Sequence, residues 1–513
     1  MSGPPRRGRL AVPSVAAGVL LAVSLPPWGW WPLGLVGAAL LYWRLAGLSW
    51  RARVWSGWLA GLGCYAIGLF WARAFNWYGA VVLIVVEALF FAVAAVATPP
   101  QRGRALAFVG ACTLAEAVRM TWPFGGLPLG GVFLGQARGP LVQLARLGGP
   151  LLITASVWAG GVVVATAGTA LWLRVRRYRA GQAGQGGEAR EERRPMLVGT
   201  LVITAGVIAL ALVGLIAPDG GAPLRSVRVA LVQGGGQRGL SKEQISPTSV
   251  LAAQLSATFA VATAHPSPQL VLWPEDVVAL DRPLAGSPQA ALLSRLARQL
   301  RATLLVGVTE PASTTSFRNE VVAWGPTGHV VGVFEKVHRV PFGEYVPLRS
   351  LFAHFADLSG VPVDAVAGRG TGLMRTPAAP LGLLVSFEIF YAGRSHQSVR
   401  AGAQLLAVPT NTSSYSTSQV PTQEMAAAIV QAVETGRDLV QAAPTGFSAV
   451  VTQRGVVVER SALGRRQVLF ATVALRSGFT PYDHWGDLPL LVLAVLALLA
   501  GWARQRQGRP RYS

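Results

Sequence analysis

Residues 330–347 read VVGVFEKVHRVPFGEYVP, a β-branched run that ends on a lysine and then breaks into a turn-rich segment carrying a second carboxylate. A short run of this kind, closed by Gly and Pro, reads as a strand of a folded domain. Similar runs occur at Val227 to Val232, Leu270 to Trp273, Leu304 to Val308, Leu381 to Val385, Leu405 to Val408, Leu439 to Ala442, Ala449 to Val458 and Leu469 to Ala474. Helical patterns lie between several of them, at 247–264, 288–302, 391–403 and 422–436. Strands alternating with helices predict a layered α/β domain between about Leu224 and Gly486.

Outside that region the texture inverts. The 513 residues are 52% hydrophobic and only 13% charged, which excludes a single soluble globule. Apolar stretches run from Leu10 to Leu25, Trp30 to Ala46, Trp55 to Trp71, Ala80 to Ala97, Ala105 to Met120, Leu151 to Leu173, Met196 to Ala217 and Leu488 to Trp502, giving about eight expected membrane spans. Arg6, Arg7 and Arg9 precede the first span. Arg51 and Arg53 follow the second, Arg102 and Arg104 the fourth, and Arg174, Arg176, Arg177, Arg179, Arg190, Arg193 and Arg194 the sixth. Arg504, Arg506, Arg509 and Arg511 follow the last, so every even-numbered exit is basic. The exits after spans one and three, Pro26-Pro27-Trp28 and Phe75-Asn76-Trp77-Tyr78, are not, and a Gly/Pro-rich stretch follows span five. The positive-inside rule then puts both termini in the cytoplasm and the α/β domain outside.

The expected division is a seven-span transmembrane domain (1–217), an extracytoplasmic domain (218–487), and a C-terminal transmembrane helix with a basic cytoplasmic tail (488–513). Residues 180–195 read as a cytoplasmic linker. An alternative for the N-terminus is a cleaved secretory signal ending near Ala22-Val23-Ser24, although Pro26-Pro27 leads straight into further spans.

The net charge of +22 is distributed as short arginine clusters beside apolar stretches, which fits topology and anionic headgroups, not nucleic acid. The only cysteines, Cys64 and Cys112, sit inside apolar stretches and form no CxxC pair. The six histidines are scattered without ligand spacing, so neither a metal nor a cofactor is expected. Gly234-x-Gly236-x-x-Gly239 follows a strand and formally matches a dinucleotide fingerprint. The next helix begins near Ser246, well past the last glycine, so a plain loop is expected.

Several residues could carry chemistry. The strand Leu270 to Trp273 delivers Glu275 at its end, either as a site carboxylate or as a solvated turn or helix cap. Among 45 basic residues only Lys242 and Lys336 are lysines. A lysine retained where arginine serves everywhere else suggests a need for a compact ammonium with an adjustable pKa; a solvated strand end is the alternative. Lys242, in a polar loop, reads as incidental. Glu344, in the turn-rich segment that follows Lys336, is a second carboxylate. The strand Leu381 to Val385 runs into Ser386-Phe387-Glu388, a small hydroxyl beside another carboxylate, and Ser386 alone reads equally as a small strand residue.

Together the WPE, EK…PFGEYVP and SFE segments resemble the nitrilase superfamily, whose Glu, Lys and Cys occupy three strand ends in that order. With the spans added, the chain resembles the bacterial apolipoprotein N-acyltransferases over nearly its whole length. That resemblance implies a membrane α-helical bundle joined to an extracytoplasmic α/β nitrilase-like (carbon-nitrogen hydrolase) domain, an α-β-β-α sandwich, in the bacterial cell membrane. It implies a phospholipid acyl donor and a diacylglyceryl apolipoprotein acceptor, with acyl transfer through an acyl-enzyme. Residue by residue, Glu275 matches the general base, Lys336 the oxyanion-stabilising cation and Glu344 the carboxylate that positions the lysine. Ser386 stands where the family has its nucleophilic cysteine, Phe387 where it often has an aromatic, and Glu388 matches the acidic residue that follows. Residues 348–366 and the loop Asn411 to Gln419 are expected lids over a lipid-entry cleft, or solvated loops.

A serine hydroxyl is far less acidic than a thiol, so Glu275 would have to deprotonate Ser386 during attack, giving an oxygen ester. Two other functions fit the same residues: a non-catalytic paralogue that binds lipids or lipoproteins, and a membrane-tethered serine amidase or esterase.

Overall fold

A computed structural model describes residues 8–74, 77–179, 194–236, 246–354, 357–413 and 419–507. Arg6, Arg7, Phe75, Asn76, linker residues 180–193, Gly239, Lys242, lid residues 355–356 and 414–418, Arg509 and Arg511 lie outside them. The chain forms two units, Met1–Ala217 with Asp487–Ser513, and Pro218–Gly486.

The first unit is helical: α1 (Gly8–Ser24), α2 (Trp31–Arg44), α3 (Trp50–Gly68), α4 (Trp77–Ala97), α5 (Arg104–Arg119), α6 (Ala145–Arg179, broken at Gly148 and Gly149) and α7 (Arg194–Ile216), with the C-terminal helix Leu488–Gln507. Each of the eight apolar stretches holds one helix. Among the described residues, three helices are long and apolar enough to cross a membrane: Trp77–Ala97, Val142–Leu173 and Leu488–Gln507. By this measure three of the expected eight spans stand; among the others, α2 and α5, at 14 and 16 residues, fall short of the roughly 20 that cross a bilayer core.

Small residues let these helices meet backbone to backbone. A Cβ on Gly57 would lie 2.4 Å from the Phe91 carbonyl oxygen, and one on Gly61 2.6 Å from Ala88 Cα, so one face of α3 seats directly on α4. Arg119 of α5 is fully buried and pairs with Glu116 at 2.7 Å and with Glu87 of α4 at 3.2 Å. The same guanidinium donates to the Leu129 carbonyl at 3.0 Å, fastening the loop after α5. Cys64 and Cys112 are buried and unpaired in α3 and α5.

The second unit contains two sheets. The first has the order β14-β1-β2-β4-β5-β6, built from β1 (Arg225–Gln233), β2 (Leu270–Leu272), β4 (Thr303–Pro311), β5 (Ser316–Trp324), β6 (Val330–Glu335) and β14 (Gln467–Leu475); β3 (Val278–Ala279) pairs with β4 and β7 (Asp364–Ala365) with β5. The second runs β13-β12-β11-β10-β9-β8, from β8 (Leu373–Arg375), β9 (Pro380–Leu383), β10 (Leu405–Pro409), β11 (Leu439–Ala442), β12 (Ala449–Val451) and β13 (Val457–Arg460). β1 pairs parallel with β2 and antiparallel with β14 over its full length, Arg225 facing Leu475 and Gln233 facing Gln467.

Alternation along β1 makes the layers. Val227, Val229 and Leu231 enter a core shared with Leu381, Leu383, Val385, Leu405 and Ala407 of the second sheet. Ala230 and Val232 point the other way, against Ala257 and Val261 of α8 (Pro247–Ala262) and, within the same cluster, Leu293 and Ala297 of α9 (Pro288–Leu300). Helices α10 (Ala392–Arg400) and α11 (Val420–Thr435) lie against β9 and β11. The result is a helix-sheet-sheet-helix sandwich.

Two sequence expectations change. The single run Ala449 to Val458 is two strands, because the Thr452 amide bonds the Val456 carbonyl at 2.9 Å and Gly455, at φ 79°, turns the chain back. The strand β5 was not anticipated at all. Gly234, Gly235 and Gly236 form a loop after β1, with α8 starting at Pro247, as a plain loop requires. Gly61→Val should force α3 off α4 and lower the stability of the helical unit by about 2 kcal/mol or more, read as a lower Tm in detergent.

Candidate functional site

The residues after β2 turn sharply. Asp276 sits at φ 54°, held by the Thr309 hydroxyl donating to its Oδ1 at 2.6 Å. This turn aims Glu275 inward, where it is buried. Gly307 of β4 makes the room: a Cβ there would lie 2.5 Å from Glu275 Cα and 2.3 Å from the Pro274 carbonyl oxygen.

Lys336 follows β6, its backbone N–H bonded to the Asn319 carbonyl of β5 at 2.8 Å. Its ammonium is buried and donates to Glu275 Oε1 at 2.9 Å and to Glu344 Oε1 at 2.7 Å. Asn319 Nδ2 donates to the same two oxygens, at 2.9 and 3.0 Å. Glu344 is fixed in turn by the Val340 N–H, which donates to its Oε2 at 2.8 Å. Glu275, Lys336 and Glu344, read separately from the sequence, therefore meet in one cluster.

Burial works against the Lys336 charge, but the two carboxylates outweigh it and hold the ammonium above its ordinary range. The lysine is thus a fixed cation and not a proton acceptor. Burial, reinforced by the neighbouring Glu344 charge, raises Glu275 in spite of Lys336, which suits a carboxylate that must take up a proton.

Ser386 ends the extension of β9 and opens the 3-10 turn Ser386–Phe390. Its φ of 51° is left-handed, a conformation that costs a non-glycine residue roughly 1 kcal/mol and lifts the side chain out of the strand. Glu388, fully enclosed, ties this turn to the lysine. Its Oε2 accepts the Val385 N–H at 2.9 Å, and its Oε1 accepts the Val337 and His338 N–H groups at 3.0 and 3.1 Å. The serine turn of the second sheet is thereby pinned to the two residues after Lys336 in the first. Arg394 of α10 pairs with Glu388 at 3.4 Å. Phe387 packs edge-on to Tyr391, which stacks on His338 at 4.3 Å. Burial and the Arg394 charge push His338 down to about 4, so it stays neutral.

The expected lid 348–366 is closed on itself. Arg349 pairs with Asp364 and donates to the Val361 carbonyl at 2.8 Å, and the Val346 N–H donates to Asp364 at 3.0 Å. Phe342, Leu348 and Leu351 are exposed around it. Sequence reasoning missed Asn319, because it lies in the unanticipated β5 between Arg318 and Glu320. It also gave no sign of the buried contact between Thr410, after β10, and Glu424 of α11. Among the described residues no group of His, Cys, Asp and Glu could hold a metal.

Replacing Lys336 by Met would leave Glu275 and Glu344 buried without their cation, at a cost of about 3–5 kcal/mol near neutral pH. In that variant Glu275, already raised by burial, loses the cation that holds it down and rises further, so stability is retained at low pH and lost as pH rises through its raised folded value. Thermal unfolding of Lys336→Met and wild type across acidic to neutral pH should show the deficit shrinking toward acid.

Residues 17–163 match the family described as apolipoprotein N-acyltransferase N-terminal domain, and residues 228–478 match the carbon-nitrogen hydrolase family. A curated relative named apolipoprotein N-acyltransferase, from Azotobacter vinelandii, is 31% identical over 97% of this chain and 95% of its own length. Another of that name, from Mycolicibacterium smegmatis, is 30% identical over 95% of this chain and 84% of its own. Among solved structures, an amidase from a Nesterenkonia species is 20% identical, covers 53% of this chain and 98% of its own, and has a TM-score of 0.37. With both regions matched and a relative of this name aligned from end to end, the chain belongs to the apolipoprotein N-acyltransferase family, a membrane branch of the carbon-nitrogen hydrolases.

Proposed function

We propose that the protein transfers a fatty acyl chain from a phospholipid to the α-amino group of an S-diacylglyceryl-cysteine at the N-terminus of apolipoproteins, the last step of lipoprotein maturation, through an acyl ester on Ser386. The observation that carries this reading is the Glu388 bridge, which joins the left-handed Ser386 turn to the chain beside Lys336 and so to Glu275.

In the first half-reaction Ser386 Oγ attacks the ester carbonyl of the donor while its proton passes to Glu275. Lys336 faces the oxygen that becomes negative. Collapse expels the lysophospholipid oxygen, which takes the proton back from Glu275, and leaves an oxygen ester on Ser386. In the second half-reaction the acceptor amine attacks that ester, loses its proton to Glu275, and Ser386 departs with it. Glu344 and Asn319 hold Glu275 and Lys336 in place, and Glu388 and Phe387 hold the serine turn. The exposed apolar side chains of Phe342, Leu348 and Leu351 beside the 348–366 loop supply a surface for an acyl chain.

The eight helices, with arginines at every even-numbered exit, support eight spans in the bacterial cell membrane with both termini cytoplasmic. On that topology residues 1–217 and 488–513 are the membrane domain, and residues 218–487 are extracytoplasmic, within reach of lipid donors and lipoprotein acceptors of the outer leaflet.

The test is a phospholipid-to-lipopeptide transfer assay with wild type, Ser386→Ala and Ser386→Cys. Transfer should vanish in Ser386→Ala and rise at least about tenfold in Ser386→Cys, because a thiol is more acidic and the better nucleophile. If Ser386→Ala leaves the cellular phenotype intact while truncating the domain abolishes it, the protein acts by binding lipids or lipoproteins instead. Free fatty acid released without acceptor, and no acylated amine, would make it a hydrolase. Glu275→Gln should slow transfer by about 10²–10⁴ with little change in donor KM.

A further inference from the structure

Strand β5 has two working faces. Asn319 turns toward Glu275 and Glu344, so its neighbour Glu320 turns to the opposite side of the sheet. There a cavity of about 550 Å³ opens to solvent, with Glu320 and Glu335 among its deeper groups, Val333 and Val366 along its walls, and Arg318 and Arg369 at its more exposed end.

Glu320 is only 7% exposed, yet among the described residues no group hydrogen-bonds its carboxylate. It stands directly opposite Glu335 in the pairing of β5 with β6, a cross-strand pair of like charges that works against the sheet. The Arg318 guanidinium is taken by the flanking carboxylates, with Nη1 3.8 Å from Glu310 and Nε 3.5 Å from Glu335. Burial, with the Glu310 and Glu335 charges added, pushes Glu320 up to about 7, against the Arg318 charge. Three carboxylates from β4, β5 and β6 therefore meet two guanidiniums, Arg318 and the exposed Arg369. One further positive charge would balance them, and an outside cation can reach Glu320 through the cavity it lines.

The depth of Glu320 selects the kind of cation. Its charge must ride on a stem that passes Val333 and Val366, as the aliphatic stem of a lysine or arginine side chain does. The two-carbon stem of an ethanolamine headgroup would instead bring its phosphate down among three carboxylates. We propose that this cavity binds a basic side chain of a polypeptide, with its stem along Val333 and Val366 and its charge at Glu320 and Glu335. On the acyl-transfer reading that polypeptide is the acceptor, and its being the acceptor is the only part of the assignment that rests on that reading.

The test uses the full-length protein in detergent and fluorescence anisotropy of a labelled, N-acetylated pentapeptide with a central lysine. At pH 8 it should bind at least about tenfold more tightly than the same peptide with norleucine, the effect of a charge-assisted hydrogen bond. Its binding should tighten as pH rises from about 6 to about 8, because Glu320 ionises through about 7 while the peptide ammonium stays charged. Glu320→Gln should bind the lysine peptide about tenfold more weakly at pH 8 and lose that pH dependence. Its Tm without peptide should equal or exceed that of wild type, since one of two facing like charges is gone, which separates weak binding from unfolding. Equal binding of the lysine and norleucine peptides, or wild-type affinity in Glu320→Gln, overturns the assignment. Displacement of the lysine peptide by O-phosphoethanolamine but not by N-acetyl-lysine amide makes the cavity a lipid-headgroup site and overturns it as well. None of these measurements includes a transfer step. In the transfer assay, a lysine-bearing lipopeptide acceptor should show a lower KM than its norleucine counterpart, and Glu320→Gln should abolish the difference. Equal KM values in wild type overturn the acceptor as the bound polypeptide and leave acyl transfer standing.

Discussion

An ammonium removed from water must be matched by charge where it sits, and the geometry of the domain follows from satisfying that demand at Lys336. Its two carboxylates come from separate places in the chain, Glu275 after β2 and Glu344 in the turn after β6, and Asn319 of β5 bridges both. Three strand registers must therefore hold at once. The absence of a side chain at Gly307 lets the Glu275 turn settle against β4, so even the neighbouring strand is shaped by this cluster. Two carboxylates around one cation keep the lysine protonated, and burial leaves Glu275 ready to bind a proton.

The other half of the site is held by a different device. Ser386 belongs to the second sheet and gains its place through the Glu388 carboxylate, which gathers three backbone N–H groups from two distant segments. Such a carboxylate acts as a rigid spacer between the sheets. It also separates duties cleanly: the cation cluster sets charge, and the spacer sets where the hydroxyl stands.

Much of this was legible in the sequence, for reasons that vary by residue. Apolar strands buried on both faces, such as Leu405–Pro409 and Leu439–Ala442, announce themselves as unbroken runs, and the rarity of lysine singled out Lys336. The strand β5 escaped because its first half, Ser316 to Glu320, is polar, and a polar half-strand looks like a loop. That polarity is what brings Asn319 into the site. Glu424 escaped for the opposite reason, as one acid in an apolar, alanine-rich helix whose burial only the tertiary structure reveals. The eight helices of the membrane unit were legible from apolar runs, but their individual lengths are not set by the run alone, because caps and Gly breaks such as Gly148-Gly149 decide where each ends.

The pairing of β1 with β14 has a consequence for how the protein is made. The earliest strand of the α/β domain is completed by the latest, with about 240 residues between them, so the first sheet stays open along one edge through almost all of the domain's synthesis. A strand as apolar as Val227–Val232, waiting with an unmatched edge, is a site for wrong pairing. The domain is therefore expected to be slow to mature and to depend on what shields that edge until residue 475 has emerged.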